Sequence, residues 1–224
     1  MPENLGLPKR FDLLVFDWDG TLMDSAGAIA ASLQGACSDL GLPVPSDEGA
    51  RYVIGLGLRD AMAHILPGVD PSVYPSVAER YRDHFLRHDP DTTLFAGAAE
   101  LVAGLRKSGF LLAVATGKGR RGLERSLAAT GLKQYFHATR CADEGFTKPH
   151  PGMLEALIKE LGVVPERTLM IGDTIHDMKM AHAAGVPRLG VAHGAHARAA
   201  LLDHEPLACV EDLAELREWL LQHA

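Results

Sequence analysis

Cysteine is scarce in this 224-residue chain. Cys37, Cys141 and Cys209 lie far apart and are odd in number. That excludes a disulfide framework and any zinc-binding spacing, and it predicts reduced, mostly buried thiols in a cytoplasmic protein. Positive charge is not in excess either: 22 Lys and Arg stand against 29 Asp and Glu, for a net charge of −7. Bulk attraction to nucleic acid or to an anionic membrane is therefore not expected. An anionic small substrate stays open, because a metal and one or two lysines set the local field. No apolar run reaches membrane-spanning length, and the first residues lack an apolar signal segment. Repeats and low-complexity stretches are also missing. What is present is ordinary for a globular protein, 47% hydrophobic and 23% charged residues, with enough chain for one large domain or two modest ones.

The chain is organised around Phe11 to Ser25. The apolar run Leu13–Phe16 is dense enough to be buried on both faces, as strands of a parallel sheet are. It stops at Asp17 and Asp19, followed by Gly20 and Thr21. Glycine lets the chain turn sharply as it leaves the sheet. Two acids one residue apart at a strand end repel unless a cation sits between them. A divalent metal suits that place, and magnesium prefers such an oxygen-only site. An isolated Asp-x-Asp-Gly is also compatible with a solvated turn bearing two surface acids, so the rest of the chain has to decide.

The next comparable apolar run is Leu111 to Ala115. The span between, roughly residues 23–90, reads as an inserted helical unit. Helices are expected over 25–40, from 46 towards the glycines at 55 and 57, over 58–66 and over 74–88, with linkers near Met23 and Pro90. Alternation then resumes. Helices are expected over 97–107, 121–129, 152–161, 175–184 and 210–221, and strands over 111–115, 137–141, 168–171 and 187–191. Strands alternating with helices imply a parallel sheet covered on both faces.

Three of these strands end in polar residues: Asp17 with Asp19, then Thr116, then Asp173 with Asp177 a turn later. In open α/β sheets ligands bind outside the carboxyl ends of the strands, so the three endings become one site. Lys148, expected at a helix start, adds a cation among N–H donors, a phosphate cradle. Two or three acids for a metal, a hydroxyl, glycine N–H groups and one lysine fit phosphoryl transfer through an aspartyl-phosphate.

Four motifs in order, Asp17-Trp-Asp-Gly-Thr21, Ala115-Thr116-Gly-Lys118, Lys148-Pro-His-Pro151 and Gly172-Asp173-Thr-Ile-His-Asp177, make the chain resemble the haloacid dehalogenase-like hydrolase superfamily. The segments Leu22-Met-Asp24-Ser25 and Ile54-Gly55-Leu56-Gly57 resemble its phosphoglycolate phosphatase-like members. The resemblance covers nearly the whole chain. It implies a Rossmann-like doubly wound parallel sheet core, residues 1–22 and 91–224, with residues 23–90 as an α-helical cap domain. It further implies Asp17 as nucleophile and Asp19 as general acid and base. Magnesium would be held by Asp17, the Asp19 backbone carbonyl and Asp173, with Asp177 in the outer shell. Thr116 and Gly117 N–H would bind phosphate, and Lys148 would hold both phosphate and nucleophile. Gly117 stands where close relatives often carry Asn, which a backbone contact tolerates.

The expected activity is magnesium-dependent hydrolysis of a small phosphomonoester, 2-phosphoglycolate-like or a sugar phosphate. A sugar-phosphate mutase of the same superfamily and a non-catalytic phosphate-binding module are the competing readings. A dehalogenase is disfavoured, since a halide leaving group needs no general acid and Asp19 would be idle. The expected partner is a small-molecule phosphate ester, with no nucleic acid and no membrane. Monomer and dimer are both open. His84 and His88 read as a solvated helical face and His193 and His196 as loop residues, while His176, inside the last motif, reads as a structural residue ahead of the alternative that it reaches the site entrance. Arg51 and Arg59 are candidates for a substrate carboxylate.

Overall fold

The computed structural model describes residues 9–88 and 92–224. Its centre is β1 (Leu13–Phe16), whose four residues are all buried. It pairs in parallel with β4 (Leu111–Thr116) on one side and β6 (Thr168–Gly172) on the other. Beyond these lie β5 (Ala138–Cys141), β7 (Arg188–Val191) and β8 (Cys209–Val210), giving a six-stranded parallel sheet of order β5-β4-β1-β6-β7-β8. The chain fills one half of the sheet outward from β1, then returns to start the other half at β6. That reversal is the topological switch point, where a crevice opens at the carboxyl ends of the strands. Phe16 is in register with Val114 and with Ile171, so three strands deliver their next residues to one edge.

Alternation along the strands separates two cores. Leu14 and Phe16 pack with α5 (Ala98–Lys107) and α10 (Leu213–His223), while Leu13 and Val15 pack with α7 (Gly152–Leu161) and α8 (Ile175–Ala183). The helix α6 (Arg120–Thr130) follows β4 directly.

Between β1 and β4 the chain leaves the sheet through a small ribbon. In it β2 (Met23–Asp24) pairs antiparallel with β3 (Thr93–Leu94). The residues between form α1 (Ala26–Asp39), α2 (Asp47–Tyr52), α3 (Leu58–Ile65) and α4 (Tyr74–His88). They pack around their own apolar cluster, which includes Leu33, Val53, Met62, Leu66 and Phe85. The expected linker at Pro90 lies outside the described residues.

Several local expectations shift. The last helix was expected from Val210, but Val210 pairs with Val191 as the edge strand β8, and α10 starts only where the Asp212 side chain accepts the Glu215 N–H at 2.8 Å. The helix from Ser46 stops at Tyr52 with Val53 as its cap, and the chain then turns at Gly55, φ +93. The β2–β3 ribbon and α9 (Arg198–Leu202) carried no sequence signal strong enough to read: two-residue strands have no periodicity, and α9 spans barely more than one turn.

Candidate active site

Asp17 leaves the end of β1 into the sheet's crevice and is 1% exposed. One carboxylate oxygen, Oδ1, accepts the Trp18 N–H at 2.6 Å and lies 2.8 Å from Lys148 Nζ. The other, Oδ2, is buried with no hydrogen-bond partner. Lys148 is itself fully buried and lies 2.6 Å from Asp177 Oδ1, so one ammonium bridges two carboxylates. It sits in the loop ahead of α7 rather than at a helix start. Its held position therefore comes from these two ion pairs, not from a helix terminus.

Gly20 turns the chain with φ +84, and a Cβ there would lie 2.2 Å from Asp173 Oδ2. The absent side chain lets the loop after β1 close against the end of β6. Thr21 Oγ1 then donates to Asp173 Oδ1 at 2.7 Å, and the Ala195 N–H donates to Asp173 Oδ2 at 2.7 Å. Asp177 lies in the first turn of α8. Thr174 and Asp177 cap each other there, the Asp177 carboxylate accepting the Thr174 N–H and hydroxyl at 3.1 and 2.7 Å. The sequence thus fixes one Asp by a turn and the other by a capping box.

Asp17, Asp173 and Asp177 each offer an oxygen within 4.8 Å of the other two. Burial raises the Asp17 carboxyl well above the usual carboxylate range; Lys148 opposes this, and the Asp177 and Asp173 charges add to it. Asp173 is pushed up to about 7 by burial and by Asp177, against the two hydrogen bonds it accepts. Burial pulls Lys148 down, yet Asp17 and Asp177 outweigh that and raise it above its ordinary value. One lysine among three buried acids leaves excess negative charge. With an all-oxygen donor set and an unpartnered Asp17 oxygen, the residues fit a magnesium ion. The Asp177 carboxylate lies in the same cluster, with Oδ1 at Lys148 and Oδ2 accepting from Thr174.

Asp19 stands apart from that cluster. Its Oδ1 accepts from Ser25 Oγ at 2.7 Å and from Lys118 Nζ at 2.9 Å. Thr116 is buried at the end of β4, and its hydroxyl accepts the Lys118 N–H at 3.1 Å. Gly117 follows, and a Cβ there would lie 2.5 Å from the Gly55 carbonyl oxygen. Its glycine thus makes room for the inserted helices. Asp17, Asp19, Thr116 and Gly117 line one cavity of about 950 Å³.

Sequence reasoning passed over Lys118, Ser25 and Thr21. Lys118 was visible inside its motif, but only the fold brings it to Asp19 and over the Phe85 ring, 4.6 Å from the centroid. The histidines also sort themselves. His84 bonds Asp39 at 2.8 Å within the helical insertion, and the His88 side chain lies outside the described residues. His193 Nε2 reaches the Thr21 carbonyl at 3.0 Å, beside the site loop. His176 is structural: its Nε2 lies 2.7 Å from the Tyr52 carbonyl, which His196 Nε2 approaches at 3.0 Å. His196 Nδ1 accepts the Ile175 N–H, so His196 is neutral and its Nε2 carries the proton. Burial pushes His176 down to about 4, which keeps it neutral too. Both rings donate to one carbonyl and seat α2 on the sheet domain. Arg51 is engaged by Asp47 at 2.8 Å, whereas Arg59 lines the cavity.

A family model described as haloacid dehalogenase-like hydrolase matches residues 14–191. Over 210 residues the chain is 36% identical to the probable phosphatase IndB of Dickeya dadantii, covering 91% of each chain. It is 32% identical over 212 residues to the tyrosine-protein kinase PtkA of Mycobacterium tuberculosis, covering 93% of this chain and 72% of that one. It is 31% identical over 225 residues to the phosphoglycolate phosphatase of Pseudomonas syringae pv. tomato, covering 96% of this chain and 81% of that one.

Proposed function

This chain belongs to the haloacid dehalogenase-like hydrolases, and from that membership we propose a magnesium-dependent phosphatase that hydrolyses a small phosphomonoester through an aspartyl-phosphate on Asp17. The observation that carries the reading is the buried Asp17 carboxylate, held through Oδ1 by Lys148 and the Trp18 N–H with Oδ2 unpartnered. A carboxylate fixed by one oxygen offers the other to a cation or to phosphorus. Two of the three relatives named above are called phosphatases, which supports the same reading.

In this scheme Asp17, Asp173 and the Asp19 backbone carbonyl hold magnesium, with Asp177 beside them. When bound, the ion supplies positive charge against the phosphoryl oxygens. The Thr116 hydroxyl and the Gly117 N–H hold those oxygens, and Lys148 favours the ionised nucleophile and holds it in place. Asp17 attacks phosphorus. Asp19 gives its proton to the departing alkoxide and later takes one from the water that frees Asp17. Ser25 and Lys118 fix the Asp19 carboxyl in reach of that oxygen. Residues 23–90 serve as a cap over a core of residues 1–22 and 91–224, and the protein works on small phosphate esters in the cytoplasm.

Phosphate release across a few dozen metabolite phosphates, 2-phosphoglycolate and sugar phosphates among them, tests the reading with magnesium and with a chelator. Release that needs magnesium and disappears in Asp17→Asn is expected. Isomerised sugar phosphate without free phosphate would instead assign a mutase. No turnover on any ester would leave a phosphate-binding module.

A further inference from the structure

The catalytic scheme uses only the inner end of the 950 Å³ cavity, where Asp17, Asp19, Thr116 and Gly117 lie. Its wall is apolar and comes from the inserted helices: Ile29, Leu33, Val53, Ile54 and Phe85, all buried. Its rim carries Arg59 of α3, Arg82 of α4 and Arg121 of α6, all exposed. Among the described residues these three guanidinium groups have no hydrogen bond or ion pair. The acids that share the lining away from the catalytic end are already engaged. Asp60 accepts from Thr147 Oγ1 at 2.5 Å, and Asp143 accepts the Arg120 N–H at 2.9 and 3.1 Å. A lone surface arginine signifies little. Three from three helices around one cavity, in a chain of net charge −7, concentrate positive potential where a ligand enters.

The space is not a gap left by helices standing off the sheet domain. They are seated, through the two histidines on the Tyr52 carbonyl, the Thr147–Asp60 bond and the Gly55 carbonyl against Gly117. A two-carbon ester fills a small part of such a volume, whereas cavities of about 300–1,000 Å³ suit larger ligands with apolar surface.

We infer, building on the phosphatase reading, that the substrate is an extended phosphomonoester. It has an apolar body and a second anionic group, carboxylate or phosphoryl, at its far end. The phosphoryl group sits at Asp17, the body lies along the wall, and the distal anion meets Arg59, Arg82 and Arg121.

Three matched esters test this with magnesium present: 2-phosphoglycolate, hexyl phosphate and 6-phosphooxyhexanoate. A charge-assisted hydrogen bond to arginine is worth about 10- to 100-fold in binding. The long acid should therefore exceed hexyl phosphate in kcat/KM by about that factor, and should exceed 2-phosphoglycolate as well. The triple variant Arg59→Gln, Arg82→Gln, Arg121→Gln should bring the ratio of long acid to hexyl ester close to one. A ratio near one in the unaltered protein, a ratio that survives the triple variant, or 2-phosphoglycolate as the best of the three would overturn the inference. Phosphate release from any ester leaves the phosphatase reading standing in those cases. Release from none of them, nor from the wider metabolite panel, overturns both.

Discussion

Asp17 and Asp19 point their carboxyls at different neighbours, which is the basis for the two roles proposed for them. Lys148 and the Trp18 N–H hold Asp17 Oδ1, and with Asp17 as the proposed nucleophile, Asp17→Asn should abolish turnover of every ester. Asp19, held by Ser25 and Lys118, has proton transfer as its proposed role. That help is worth roughly 10²–10⁴-fold and matters most when the leaving group is a poor one. In Asp19→Asn the single-turnover phosphorylation rate should fall far more for an alkyl phosphate than for para-nitrophenyl phosphate, and equal losses would assign Asp19 to local geometry instead. The buried acids also make a metal prediction with a definite sign. Asp173 is raised to about 7 and Asp17 is raised as well. In the metal-free fold protons therefore occupy these groups at acid pH, and the stability they add is lost as pH rises through the folded values. The depressed His176 titrates with the opposite sign and is common to both metal states. The rise in Tm on adding magnesium should accordingly grow between pH 5.5 and 8, as protons stop competing for the carboxylates. A pH-independent rise would show that the ion binds elsewhere.

At the scale of elements, the contact between the inserted helices and the strand ends rests on missing side chains. The Gly55 and Leu56 carbonyl oxygens come within 2.5 and 2.8 Å of where a Gly117 Cβ would stand. These are backbone atoms and cannot rotate away. Gly117→Ala should hold the insertion off the strand end and raise KM about tenfold or more, with faster proteolysis around residues 53–58. An unchanged KM and proteolytic pattern would show that this edge of the insertion yields freely. The Tyr52 carbonyl, satisfied by two neutral histidines, is the second fastening and lies on α2, next to the same loop.

For the molecule as a whole, β2 and β3 bring the two ends of the insertion side by side, with Asp24 opposite Thr93. The insertion packs its own apolar cluster and the sheet keeps both of its cores without it. Removing residues 24–89 and bridging the gap should therefore leave a folded sheet domain with some activity on small aryl phosphates. The same deletion takes away the apolar wall, Arg59 and Arg82, so discrimination between metabolite esters should vanish. Discrimination retained by the shortened protein would place specificity in the strand-end loops.

By itself the sequence determined the alternation of strands and helices, the helical insertion after the first strand and the order of the four motifs that meet at the strand ends. Each of these is local: Leu13–Phe16 is apolar throughout, Gly20 turns, and Thr174 caps Asp177 across three residues. Periodicity and turn chemistry act over a few residues and can be read directly. Tertiary structure alone decided that Lys148 pairs with Asp177 as well as with Asp17, that Lys118 reaches Asp19 across 99 positions, and that His176 and His196 meet at the Tyr52 carbonyl. It also decided that arginines from three helices share one rim. Such encounters depend on how separately encoded helices pack over a twisted sheet, a long-range arrangement that no short stretch of chain specifies.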